Sequence, residues 1–217
     1  MAYEAIIFDM DGTLLDTIDD IANSANTVLR RHGFPAHDLA AFRYFVGDGV
    51  RALINRAIPL ENRDEQQIQE CVKEFREIYR KNFNVVTKPY TGIPEMLDRL
   101  MERRVRMAIL SNKPDDFTKK CVKEFLSKWN FEIALGHSDS IPLKPDPAGA
   151  IYIAQKMEVD PDSFLYLGDT DIDMKTAVRA NMFPVGALWG FRLKNELIEN
   201  GAKAVIETPK DIFRMLD

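Results

Sequence analysis

The sequence predicts an α/β fold: a Rossmann-like parallel sheet with helices on both faces, interrupted near its start by a small all-helical domain. Three observations predict it. Residues 5–8 (Ala5-Ile6-Ile7-Phe8) form a continuous apolar run, as in a strand buried on both faces. From 16 to 87 the apolar residues recur three and four apart, with no convincing strand. Beyond Pro89-Tyr90-Thr91-Gly92, short apolar runs alternate with helical stretches, the pattern of right-handed crossover units and a parallel sheet. Residues 1–15 and 88–217 therefore form one α/β domain holding both chain ends, and 16–87 an inserted helical domain.

The elements follow in order. Ile18, Ile21, Ala22, Ala25, Val28 and Leu29 share one helical face, with Asp16 or Thr17 as the cap and Gly33 as the stop. A second helix is expected around 49–57. A third spans about 64–82, with Ile68, Val72, Phe75, Ile78 and Tyr79 on one side. In the α/β part, helix 94–103 precedes strand 105–110, and helix 115–128 precedes a short strand at 131–135. Helix 147–157 has Asp146 as N-cap and Pro147 at its first position, where no N–H is needed. Strand 164–167, helix 171–180, strand 184–188, a short helix near 193–199, strand 204–206 and a final helix 209–216 complete the chain.

Composition narrows the function. Of 217 residues, 46% are hydrophobic and 29% charged, the usage of an ordinary globular protein. A net charge of −5 with no long basic block argues against nucleic acid and anionic membrane as partners. No apolar run reaches a membrane span, and the N-terminus lacks the basic region of a signal peptide. Cys71 and Cys121 stand far apart in no CxxC pairing, which excludes a cysteine zinc site and suits a reducing cytoplasm. Monomer and homodimer are both left open.

In an open parallel sheet, ligands bind beyond the carboxyl ends of the strands. Asp9, Asp11 and Thr13 follow the first strand, and Ser111-Asn112-Lys113 follow the second. Lys144-Pro145-Asp146-Pro147 precedes a helix, and Gly168-Asp169-Thr170-Asp171-Ile172-Asp173 follows a strand. Asp9, Asp11, Asp169 and Asp173 bring up to four carboxylates together, a crowding that a cation relieves. Oxygen ligands of this kind suit Mg²⁺. Lys144, the hydroxyls of Ser111 and Thr13, and the backbone N–H groups of a 111–113 turn add phosphate-binding character. A carboxylate in such a site can attack phosphorus and form an aspartyl-phosphate.

These residues resemble the motifs of the haloacid dehalogenase superfamily. Asp9-Met10-Asp11-Gly12-Thr13 looks like its DxDGT signature, and Ser111, Lys144 and Gly168-Asp169…Asp173 match the later motifs in order. Leu14-Leu15-Asp16-Thr17, Gly47-Asp48-Gly49…Leu53-Ile54-Asn55-Arg56-Ala57, Ser111-Asn112-Lys113, Lys144-Pro145-Asp146-Pro147 and Trp189-Gly190-Phe191 are most similar to its phosphoglycolate phosphatase-like branch. The resemblance covers nearly the whole chain. It implies a Mg²⁺-dependent phosphatase acting on a small phosphorylated metabolite, most of all 2-phosphoglycolate, with 16–87 as a helical cap closing over the core. It implies Asp9 as nucleophile and Asp11 as general acid, then base. Mg²⁺ would be held by the Asp9 carboxylate, the Asp11 carbonyl and Asp169. Ser111, Lys144, Thr13 and the Asn112 backbone would hold the phosphate, and Asp173 would orient metal-bound water or Lys144. One departure is Ala180-Asn181-Met182, where the family commonly has Ala-Gly-Met.

Other readings compete. A sugar-phosphate mutase or an inorganic pyrophosphatase would share the core residues. A receiver-type signalling module also uses a phosphorylated Asp, but lacks an acid two residues later and such an insertion. Gly47 and Asp48 are read either as a helix boundary or as a substrate loop, with Arg51 and Arg43 beside them as solvated arginines or carboxylate binders. Asp171 is read as a helix N-cap rather than a ligand.

Overall fold

The computed structural model describes residues 3–217. In chain order they form β1 (Ala5–Phe8), β2 (Leu15–Asp16), α1 (Ile18–Arg31), α2 (Leu39–Phe45), α3 (Val50–Ala57), α4 (Glu65–Asn82), β3 (Lys88–Pro89), α5 (Ile93–Glu102) and β4 (Arg106–Pro114). Then come α6 (Asp115–Phe125), β5 (Ile133–His137), α7 (Ala148–Met157), β6 (Phe164–Gly168), α8 (Asp171–Arg179), β7 (Phe183–Ala187), α9 (Lys194–Glu199) and β8 (Ala204–Ile206). Tighter 3-10 segments occupy Leu60–Asn62, Pro161–Ser163 and Pro209–Met215. The chain divides into two compact units, Met1–Leu15 with Pro89–Asp217, and Asp16–Lys88.

In the first unit six parallel strands pair in the order β5-β4-β1-β6-β7-β8. β1 is central and wholly buried, and its alternate residues serve opposite faces. Ala5 and Ile7 join Ala108, Leu110, Phe164 and Tyr166 in a core closed by Ala150, Ile153, Ala154 and Met157 of α7 and Ala177 of α8. Ile6, Phe8, Met107, Ile109, Leu165 and Leu167 are equally buried, so both faces of the sheet are covered. That explains why these strands read as continuous apolar runs rather than alternating ones. From β1 the sheet grows toward β4 and β5, and from β6 it grows the other way. The switch point therefore lies between β1 and β6, where Phe8 pairs with Leu167 and the next residues open into loops.

The second unit is four helices around Ile21, Ala25, Leu29, Phe42, Leu53, Ile54, Ile68 and Phe75, all buried. Asp20, also buried, accepts bonds from the backbone N–H groups of Val86 (3.1 Å) and Thr87 (2.9 Å) and from the Thr87 hydroxyl (2.7 Å), which satisfies its charge.

Four expectations are corrected. α1 starts after Thr17, but no side chain makes a capping bond there. α2 is absent from the periodicity reading: it is only two turns long and buries only Phe42, although Asp38 caps it at the Ala41 N–H (2.9 Å). Residues 111–113 are not a turn. They extend β4, because β5 continues beside it as far as the Pro114–His137 pairing. The last element is 3-10 rather than α-helical.

Candidate active site

Asp9 leaves the end of β1 and is fixed by its N–H to the Leu167 carbonyl (2.9 Å). The loop then folds back tightly, with the Leu14 N–H on the Met10 carbonyl (3.0 Å) and the Gly12 N–H on the Leu15 carbonyl (2.9 Å). Gly12 has φ +83°, and a Cβ there would fall 2.3 Å from Asp169 Oδ2. Both the dihedral and the crowding demand glycine. Asp169 and Asp173 follow β6 and enter α8. Thr170 caps that helix and forms a reciprocal box with Asp173: its hydroxyl oxygen accepts the Asp173 N–H (3.4 Å), and its own N–H donates to Asp173 Oδ2 (3.0 Å).

Lys144 links the two loops. Its ammonium donates to Asp9 Oδ1 and Asp173 Oδ1, each at 2.7 Å. Its backbone is clamped by Asn112, whose Oδ1 accepts the Lys144 N–H (2.7 Å) and whose amide donates to the Lys144 carbonyl (3.1 Å). Asp169 is held by the Thr13 hydroxyl (2.8 Å) and the Phe191 N–H (2.8 Å). The turn that presents Phe191 passes so close that a Cβ on Gly190 would lie 2.2 Å from the Asp169 Cβ. Trp189 secures the turn by donating its indole N–H to the Thr13 carbonyl (3.0 Å).

The expected four-carboxylate cluster resolves into three plus one. Ligand oxygens of Asp9, Asp169 and Asp173 lie within 4.8 Å of one another, and all three residues are buried. The Asp11 carboxylate instead pairs with Lys113 Nζ at 2.8 Å. Thr13 directs its hydroxyl to Asp169 rather than standing free for phosphate. Ser111 accepts the Lys113 N–H (3.2 Å), a bond that does not use its own hydroxyl proton. Asp171 is not the N-cap, because Thr170 takes that place; as the first helical residue it pairs with Lys175 (2.7 Å). In the helical unit Asp48 pairs with Arg56 and Arg51 with Glu65 (2.9 Å), and Gly47 and Asp48 lie just before Gly49, the N-cap of α3. A surface groove of about 620 Å³ in that unit is lined by Arg51, Lys73, Arg76, Glu77 and Arg80 among others.

Sequence reasoning did not assign roles to Lys113, Thr170 or the Phe191 N–H. For Lys113 the signal was its place in the Ser111-Asn112-Lys113 cluster after a strand, while the extension of β4 that carries it to Asp11 depends on pairing with β5.

Electrostatics follow from the packing. Burial first, and then the facing Asp173 charge, push the Asp9 carboxyl well above the ordinary aspartate range, against the pull of Lys144. The same two causes raise Asp169 to about 7. Burial works against the Lys144 charge, but the carboxylates of Asp173 and Asp9 outweigh it and hold its pKa above that of a free lysine. The Tyr166 hydroxyl is buried nearby on β6 beside Lys144, and burial pushes its pKa well up. Lys144 pairs with Asp9 and Asp173, and Lys113 with Asp11, so among these four acids and two lysines full ionisation leaves two negative charges. An all-oxygen donor set with that imbalance fits a hard divalent cation.

Comparison with known proteins agrees with this geometry. The family model for haloacid dehalogenase-like hydrolases matches residues 6–187. A phosphoglycolate phosphatase of Aquifex aeolicus is 30% identical over 212 residues, 98% of this chain and 96% of that protein. An N-acetylmuramic acid 6-phosphate phosphatase of Pseudomonas aeruginosa is 26% identical and covers 100% of this chain and 96% of its own length. Among solved structures, one from Lactobacillus delbrueckii subsp. bulgaricus superposes with a TM-score of 0.94 at 28% identity, covering 100% of this chain and 99% of that one. A matched span that includes the Asp9 loop, β4, Lys144 and the α8 entry leaves one conclusion: the chain belongs to the haloacid dehalogenase-like hydrolase family.

Proposed function

We propose that this chain is a Mg²⁺-dependent phosphatase that hydrolyses small phosphate monoesters through an aspartyl-phosphate on Asp9, with 2-phosphoglycolate as its leading substrate. The observation that carries the reading is the Asp9–Lys144–Asp173 network beside Asp169 at the switch point of the sheet. The two phosphatases described above support it. The compounds they are named for each combine a phosphate ester with a carboxylic acid.

In this reading Lys144 holds Asp9 Oδ1 and so fixes the rotation of the carboxylate. Asp9 attacks phosphorus, the bond to the ester oxygen breaks, and Asp11 delivers a proton to the departing alkoxide. Asp11 then takes a proton from water as that water attacks phosphorus, which releases phosphate and restores Asp9. Lys144 and the Ser111 hydroxyl neutralise and orient the phosphoryl oxygens. Asp9, Asp169 and the Asp11 carbonyl would hold Mg²⁺, which supplies charge neutralisation of the phosphate when bound. Asp173 positions Lys144. Residues 1–15 and 88–217 act as the catalytic core and 16–87 as a cap that selects the alcohol, Gly47, Asp48 and Arg51 being its candidate contacts. No helix among the described residues is long and apolar enough to cross a membrane. A cytoplasmic location fits the reduced, buried Cys71 and Cys121.

A phosphate-release panel tests this reading: 2-phosphoglycolate, sugar phosphates, pyrophosphate and a nucleotide, each with Mg²⁺ or EDTA. Mg²⁺-dependent release strongest for 2-phosphoglycolate is expected. Release from pyrophosphate alone, or interconversion of sugar phosphates without release, would favour the pyrophosphatase or the mutase instead.

Metal binding should depend on pH. Asp9 and Asp169 have raised pKa values in the metal-free fold, Asp169 at about 7, so below about 7 a cation must displace a proton from Asp169. The native state then holds more protons than the unfolded chain, and the Asp169 proton alone makes metal-free stability fall as pH rises from about 4 through about 7, by about 1.4 kcal/mol per pH unit. Mg²⁺ therefore raises the melting temperature more at about pH 8 than at about pH 6. An equal shift at both would contradict the assignment of these acids to the metal.

A further inference from the structure

Lys113 takes no part in the chemistry above, yet the fold buries it at the site. It is the last residue but one of β4, with a side chain only 8% exposed, and its Nζ lies 2.8 Å from Asp11 Oδ2. The Phe117 ring of α6 stands 5.9 Å from Nζ. On the same helix, burial holds the Cys121 thiol up at about 12, so that thiol stays neutral. The ammonium is thus presented beside the proposed general acid in a region of low dielectric, where a charge-assisted bond is strong.

That placement has a consequence for the alcohol half of the substrate. Asp11 must reach the ester oxygen to protonate it, so groups bonded near that oxygen come within reach of Lys113. In a phosphate ester of a 2-hydroxy acid, the carboxylate carbon is two bonds from the ester oxygen. We propose that Lys113 is the receptor for this carboxylate and makes the site selective for phosphate esters of 2-hydroxy acids. The inference rests on the phosphatase reading and adds a residue and a substrate class to it. Lys144, tied to Asp9 and Asp173, serves the transferring phosphate, and Lys113 serves the leaving group. One anionic substrate meets two cations, each with its own part.

The test uses the whole chain and a matched pair of esters, 2-phosphoglycolate and ethyl phosphate, which differ by a carboxylate against a methyl group. The wild type is expected to favour 2-phosphoglycolate. In Lys113→Met the ratio of kcat/KM values for the two esters should fall about 30-fold, chiefly through KM for 2-phosphoglycolate. Lys113→Arg should recover part of that ratio. An equal loss on both esters would overturn the proposal, because Lys113 would then act only by positioning Asp11. A wild type that does not discriminate between the esters overturns it as well, with the phosphatase reading intact. A wild type that releases phosphate from neither ester, nor from any compound of the panel, overturns both. Should Lys113→Met fail to fold, the neutral amide of 2-phosphoglycolate tests the wild type directly. It should be as poor a substrate as ethyl phosphate, and an amide as good as the acid would refute a charge receptor.

Discussion

An Asp9→Asn variant is expected to lose phosphate release from every ester by about 10⁴-fold or more. The amide keeps the shape of the carboxyl but cannot attack phosphorus. The fold should not suffer. Asp9 is buried and its ionised form is disfavoured, so a neutral group removes repulsion with Asp173 and Asp169. Lys144 keeps its bond to Asp173 in the variant. The melting temperature of the metal-free protein near neutral pH should therefore be unchanged or higher. Steady-state turnover together with thermal denaturation checks this. Loss of activity with a collapsed melting transition would mean that Asp9 is structural, and retained activity would remove it from the mechanism.

Lys144→Met should act differently, lowering both activity and stability. Methionine fills much of the same volume but leaves Asp9 and Asp173 facing each other without the shared ammonium. Removing one member of a buried charge network destabilises by about 3–5 kcal/mol. The loss is smaller where Asp9, whose carboxyl is already pushed up, takes up a proton, so the variant should lose more stability at high pH than at low pH. Turnover should fall by about 10³-fold, since a fixed donor to the transferring phosphate is lost. Urea denaturation across pH and turnover on 2-phosphoglycolate measure the two effects. A variant as stable as the wild type at high pH would contradict the bracing role of Lys144.

The parts most legible in the sequence were those whose physics is local. Ala5–Phe8 could be read as a central strand because burial on both faces forces a continuous apolar run. Asp9, Asp11, Ser111, Lys144 and Asp169 could be singled out because the carboxyl ends of parallel strands converge on one edge. What escaped the reading depends on partners distant in the chain. Thr13 looked like a free hydroxyl until Asp169, 156 residues away, was placed beside it. Asp11 was counted with the other acids, but the extension of β4 carries Lys113 to it and withdraws its carboxylate from the cluster. That extension depends on pairing with β5, which no local pattern encodes. Thr170 and Asp171 are both good capping residues, and only the bond from the Asp173 N–H to the Thr170 hydroxyl decides between them. α2 was missed for the opposite reason, since two turns with one buried residue give too little periodicity to detect.

The central claim is that the phosphoryl group passes through Asp9. The most direct measurement is mass spectrometry of the wild type quenched in acid during turnover of 2-phosphoglycolate with Mg²⁺. The account predicts a gain of about 80 Da on the peptide that contains Asp9, present only with substrate and absent from Asp9→Asn. Rapid phosphate release with no adduct on that peptide, or with the adduct on another residue, would contradict it.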